Sequence, residues 1–121
     1  MKITILVENT TIDTRLTPKH GLSIYIETNK HKVLFDLGPD DTYLVNARIL
    51  GIDLSQVDTV VLSHGHKDHG GALSGFLKVN SKARIYLHRQ AFEPLLLALT
   101  KPHISKISLL CHRLLLRLNH P

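Results

Sequence analysis

A chain of 121 residues has room for one domain with a modest core, and its 43% hydrophobic and 21% charged content fits the soluble globular class. The apolar start is short and interrupted by Glu8, and no apolar run reaches membrane-spanning length, so neither a signal peptide nor a membrane partner is expected. The net charge of +5 argues little for nucleic acid, because residues 1–93 hold eleven Lys/Arg against ten Asp/Glu while Lys101, Lys106, Arg113 and Arg117 carry the remaining excess.

The lone Cys111 allows no internal disulfide, and a cytoplasmic location is the default expectation. Residues 2–7 are predicted as a strand. Residues 8–21, with Pro18 and Gly21, read as a long loop in which His20 is read first as a surface histidine, with a place near the site as the alternative. Residues 22–28 alternate Leu22, Ile24 and Ile26 against Ser23, Tyr25 and Glu27, a half-buried strand. Asn29-Lys30 turns the chain into a further strand at 32–36, giving an antiparallel meander. Asp36-Leu37-Gly38-Pro39 ends it, with Asp36 a ready turn-former.

Asp40 or Asp41 is placed to cap a helix running to Leu50, with Gly51 at its C′ position and Leu44, Ala47 and Leu50 on the sheet-facing side. Residues 52–58 connect to a strand at 59–63. Beyond residue 71 the pattern gives a short helix to 79, with Leu73, Phe76 and Leu77 on its apolar side, then a strand at 83–87. His88 reads as structural, and 90–99 favours another helix with Pro94 in its first turn. A meander followed by alternating helix and strand gives an α/β (α+β) fold with helices on one face of a sheet.

Val60-Val61-Leu62-Ser63-His64-Gly65-His66-Lys67-Asp68-His69-Gly70-Gly71 concentrates the chemistry. His64 and His66 stand two apart, so on an extended backbone they leave on the same side and can close on one metal ion. Asp68 and His69 diverge from that pair and can serve a second ion. The glycines permit sharp turns and close backbone approach.

This segment resembles the metal-binding loop of the metallo-β-lactamase superfamily, whose hallmark is His-x-His-x-Asp-His. Val33-Leu34-Phe35-Asp36-Leu37-Gly38 resembles the strand and Asp-Gly turn that precede that loop. Glu8-Asn9-Thr10, His20-Gly21-Leu22-Ser23 and Gly38-Pro39 narrow the likeness to the branch labelled dihydropterin-type aminobenzene-phosphate synthases. The resemblance covers residues 2–93 and implies the N-terminal half of an αβ/βα sandwich.

The resemblance also implies a metal-dependent hydrolase acting on an ester, lactone or phosphodiester-type bond of a small molecule. His64, His66, Asp68 and His69 would be metal ligands, Asp68 would also orient the attacking water, and Asp36 would lie beneath the loop and hold a ligand imidazole. One or two divalent ions are implied. Zinc suits the nitrogen-rich set best, and iron and manganese use similar ligands. No residue is assigned to substrate binding. Further ligands lie downstream in the family, and no spacing singles out His103, His112 or His120 as a substitute. Residues 94–121, with ten leucines and no acid, read as a divergent tail of truncated or frameshifted origin.

Low turnover by the 121 residues alone is expected, with a homo-oligomer or a complementary C-terminal half as partner. The alternatives are a non-catalytic fragment with residual metal binding or protein interaction, and a nucleic-acid-processing nuclease using the same loop. The near-neutral first 93 residues weigh against the nuclease.

Overall fold

The computed structural model describes residues 1–87. The expected helix at 90–99, His88 and the leucine-rich tail lie outside the described residues.

Five strands form one sheet in the order β1-β2-β3-β4-β5: β1 (Lys2–Val7), β2 (Ser23–Glu27), β3 (Lys32–Phe35), β4 (Thr59–Leu62) and β5 (Arg84–Leu87). The first three run antiparallel, β2 and β3 joined by a short turn and β1 and β2 by the 8–21 loop, and β3, β4 and β5 are parallel. Each parallel step needs a crossover. Helix α1 (Thr42–Ile49) and a 3-10 turn at Leu54–Gln56 make the first; α2 (Lys67–Gly70) and α3 (Leu73–Val79) make the second.

The strand registers place Tyr25, Leu34, Val60 and Ile85 in one row across the sheet. This row is buried in a single core with Tyr43 and Ala47 of α1 and Leu73 and Phe76 of α3. Each Leu, Val, Ile or Phe among them contributes about 1.5–3 kcal/mol when fully buried. The next row, Ile24, Phe35, Val61 and Tyr86, faces the other way, and Ile3 and Ile5 beside it are 58% and 50% exposed. The sheet is therefore apolar on both sides. The alternation in β2 predicts the strand, but Ser23 and Tyr25 are its fully buried residues while Ile24 and Ile26 are only half-buried. With apolar residues on both faces, period alone does not show which face the helices cover.

Helix α1 departs from its predicted stripe in a similar way. It buries Tyr43, Asn46 and Ala47, with Leu44 and Leu50 only partly covered. Asn46 is tolerated there because its polar atoms are matched. Its Nδ2 donates to the carbonyls of Leu6 (2.7 Å) and Thr17 (2.9 Å), and its Oδ1 accepts from the Thr17 N–H at 3.1 Å. One side chain thus ties α1 to β1 and to the 8–21 loop. Asp41 occupies the N-cap position without a capping bond; Asp40 instead accepts from the Thr42 N–H at 2.9 Å. Gly51 takes φ +71, the left-handed conformation expected just past a helix end. No helix among the described residues is long and apolar enough to cross a membrane.

Candidate metal centre

The site forms where the parallel strands β3 and β4 end. Asp36 follows β3 with φ +55, a backbone conformation that aspartate adopts more readily than most residues. Its N–H donates to the Val61 carbonyl at 2.9 Å, which extends the β3–β4 pairing by one bond. Its side chain is fully buried and fully used. Oδ1 accepts from the Ser63 N–H at 2.8 Å. Oδ2 accepts from the Ser63 hydroxyl at 2.7 Å and lies 2.7 Å from Nδ1 of His69.

These contacts fix two histidine tautomers. A carboxylate only accepts, so Nδ1 of His69 carries a proton, and its Nε2 is turned to Oδ2 of Asp68 at 3.3 Å. The single Ser63 proton goes to Asp36, so the Ser63 oxygen, 2.8 Å from Nδ1 of His64, accepts from that nitrogen. His64 therefore also commits its Nδ1 proton, which leaves Nε2 as its outward-facing nitrogen. One buried carboxylate sets both rings, directly for His69 and through a hydroxyl for His64.

The loop itself is held by backbone bonds. The Leu37 N–H donates to the His69 carbonyl at 2.7 Å, the Leu22 N–H to the Asp68 carbonyl at 3.3 Å, and the Gly38 N–H to the Leu22 carbonyl at 2.8 Å. Gly21, at φ +132, lies directly against the Asp68 carbonyl, where any Cβ would collide with that oxygen. The 8–21 loop is thereby pinned onto the histidine loop.

His64, Asp68 and His69, all half-buried, each offer a donor atom within 4.8 Å of the others. Their grouping follows from α2. The chain turns helical at Lys67, directly after His66, and this swings Asp68 and His69 round to the side of His64. His66 is exposed and packs edge-on against His64, with ring centroids 4.6 Å apart, outside the three-residue group. The sequence spacing pairs His64 with His66; the folded chain groups His64 with Asp68 and His69. Asp36 lies beneath, bonded as above.

The sequence alone reads His20 first as a surface histidine. Its ring is largely exposed, yet Nε2 lies 3.4 Å from Oδ2 of Asp68, and Nδ1 lies 3.0 Å from Oδ1 of Asn9. The fold brings it to the rim of the site, because Gly21 docks where no other residue fits. This is the alternative reading of His20 as a residue near the site, with its ring still largely exposed. Beside it, Lys19, His20, Pro39, Asp40, Lys67 and Asp68 line an open cleft of about 400 Å³. Hydrogen bonds from the Thr42 hydroxyl and N–H, with a smaller contribution from Lys19, hold the Asp40 carboxyl below its ordinary range.

The sequence profile described as the metallo-beta-lactamase superfamily matches residues 16–105. The chain belongs to this superfamily. The match runs past residue 93, where the resemblance carried by the sequence motifs fades. The chain is 36% identical over 81 residues to the 7,8-dihydropterin-6-methyl-4-(beta-D-ribofuranosyl)-aminobenzene-5'-phosphate synthase of Methanocaldococcus jannaschii, covering 62% of this chain and 28% of the relative. An uncharacterized protein of the same archaeon is 36% identical over 93 residues, covering 74% and 35%.

Among solved structures, Tm1679, a metal-dependent hydrolase of the beta-lactamase superfamily, superposes with a TM-score of 0.59 at 36% identity. The match covers 74% of this chain and 30% of that one. Rm3 metallo-beta-lactamase gives 0.50 at 26% identity over 58% and 27%. The five-stranded sheet with its helices is thus a metallo-beta-lactamase fold, and the chain spans about a third of the length of these relatives.

Proposed function

We propose that His64, Asp68 and His69, with His66 at their edge, hold a divalent metal ion, and that this superfamily member takes part in metal-dependent hydrolysis. The observation that carries the reading is the convergence of three donors, two of them imidazoles whose Nδ1 protons are committed to Ser63 and Asp36, so that Nε2 is the ligand atom each offers. The donor set fits such an ion: two neutral nitrogens and a carboxylate make a three-ligand set of the catalytic type, with a position left for water. Zinc suits it best, with iron and manganese as alternatives.

When bound, the ion supplies Lewis acidity and lowers the pKa of a water to near ~7. The protein's own groups do the rest. Asp36 and Ser63 keep the two rings in place. Asp68 would also orient a water, and His20 restrains that carboxylate from the rim. The proposed substrates are small molecules with an ester, lactone or phosphodiester-type bond. Because the chain spans about a third of its relatives, strong turnover is not expected of these 121 residues alone, and a second copy or a complementary segment is the proposed partner.

The test is metal titration of the purified chain. One zinc per chain is expected, lost in His69→Ala and weakened less in His66→Ala. A chain that takes up no metal, or a His69→Ala variant that binds like wild type, overturns the assignment. The methanogen relative is named a synthase. Hydrolysis of bis(p-nitrophenyl) phosphate and p-nitrophenyl acetate is therefore scored separately from metal content.

A further inference from the structure

The hydrogen-bond pattern of the loop histidines extends to a residue outside the loop. In His64 and His69 the Nδ1 nitrogen meets an oxygen, of Ser63 and of Asp36, and Nε2 is the atom left to an ion. His20 is held in the same way. Its Nδ1 lies 3.0 Å from Oδ1 of Asn9, an amide oxygen that can only accept, so Nδ1 carries a proton. Its Nε2 is turned to Oδ2 of Asp68 at 3.4 Å. An acceptor on the other ring nitrogen is the usual companion of a metal-bound imidazole. The pair of His31 and Asp58, also 3.4 Å apart, is built differently, since there Nδ1 is the nitrogen that faces the carboxylate.

The spacing around Asp68 suits an ion better than a hydrogen bond. Oδ2 lies 3.3 Å from Nε2 of His69 and 3.4 Å from Nε2 of His20. Both distances exceed the ~2.7–3.2 Å of an ordinary N–H···O bond. Zinc bonds of about 2.0–2.1 Å to nitrogen and about 2.0–2.2 Å to oxygen, at a tetrahedral angle, set the two ligand atoms about 3.3–3.5 Å apart. His20 is not among the three residues whose donors lie within 4.8 Å of one another, so the ion it meets is not theirs. We infer that His20 is a further metal ligand, which together with Asp68 holds a second divalent ion at the rim, the Asp68 carboxylate being shared between the two ions. This rests on the reading of Asp68 as a ligand given above. His20 and Asp68 both line the open cleft, so water can fill the remaining positions. With two protein donors, the rim ion is the more weakly held.

The experiment is a zinc titration of the full chain carrying 15N-labelled histidine, with the ring nitrogens read by long-range 1H–15N spectra and His20 assigned by its loss in His20→Gln. The first equivalent should shift Nε2 of His64 and His69. Further zinc should then shift Nε2 of His20 while its Nδ1 stays protonated, and His31 should not move over the same range. His20→Ala should weaken the second equivalent by about tenfold or more and leave the first within about threefold, and Asn9→Ala should weaken the second by a smaller factor. His20→Gln keeps an N–H that can bond Asp68 but offers no imidazole, so it should lose the second equivalent as His20→Ala does. A His20 ring that stays unshifted at saturating zinc while His64 and His69 move overturns the inference and leaves the metal reading standing. So does a His20→Gln variant that keeps the second equivalent within twofold of wild type, which would reduce His20 to a hydrogen-bond donor. No shift in any of the three rings overturns the metal reading and the inference with it.

Discussion

Asp36→Asn keeps the size of the side chain and a residue that accepts φ +55, and alters only what one atom can do. The fixed Ser63 N–H, 2.8 Å away, requires the amide oxygen on its side, so the new NH2 takes the place of Oδ2. That group now faces the Ser63 hydroxyl and Nδ1 of His69, both at 2.7 Å and both donors in the wild type. The conflict is relieved if His69 moves its proton to Nε2 and Ser63 turns its hydrogen toward His64, which then carries its own proton on Nε2. Both rings would present N–H where an ion needs a lone pair.

Loss of an outer partner typically costs 10–100-fold in metal affinity, and with two rings affected the expectation is the upper end, about 100-fold or ~2.7 kcal/mol. The fold should change little, by about 1 kcal/mol or less, since the number of hydrogen bonds is conserved. Asp36→Ala is the contrast, because it strands the Ser63 N–H at about 1–3 kcal/mol. Zinc affinity is read by competition with a chromophoric chelator, and fold stability by urea denaturation in EDTA. An Asp36→Asn variant that binds zinc within threefold of wild type would show that Asp36 does not set the imidazoles.

Two further substitutions probe the frame around the site. Gly21→Ala puts a Cβ into the Asp68 carbonyl at a backbone angle that side chains rarely adopt, so the 8–21 loop should detach. A loss of about 2–4 kcal/mol and weaker zinc binding are expected in urea titrations with and without metal, and a change under about 0.5 kcal/mol would contradict the docking. Tyr43 is buried, and burial, with the nearby Asp41 charge, raises its phenol above the ordinary value of 10.0. Below that value both folded and unfolded chains keep the proton. Above it the unfolded chain releases the proton first, so stability falls as pH rises past about 10. Tyr43→Phe should flatten that alkaline decline in the metal-free chain; an unchanged slope would mean the ring is not held away from water.

The histidine loop was legible because its chemistry is local: His64, His66, Asp68 and His69 fall within six residues after an apolar strand. The strands were legible for a similar reason, since alternation is a property of near neighbours. What the sequence left open depends on distant partners. Asp36 reads locally as a turn residue; only the family resemblance set it beneath a ligand imidazole, and its bonds to Ser63 and His69, 27 and 33 positions away, come from the fold. Asn46 looks like a surface position on a helix until the carbonyls of Leu6 and Thr17 are found against it. His20 reaches the rim because Gly21 fits the space over Asp68, a fact of packing that no periodicity encodes. The same limit applies to β2, where an apolar strand surface on both sides hid the identity of the inner one.

The separation between Asp36 and its two clients also sets when the site can exist. An unfolded chain already carries the four loop side chains close together, but none of them has a fixed ring orientation until β3 and β4 pair. That pairing closes a loop of about 30 residues, at an entropic cost of roughly 3 kcal/mol before any contact repays it. The β2–β3 hairpin is built from much nearer contacts, whereas β1–β2 also closes a long loop, the 8–21 segment. Orientation of the two imidazoles is therefore tied to a non-local pairing step, and in a chain emerging in order the strands of the meander are all present before the donor set is.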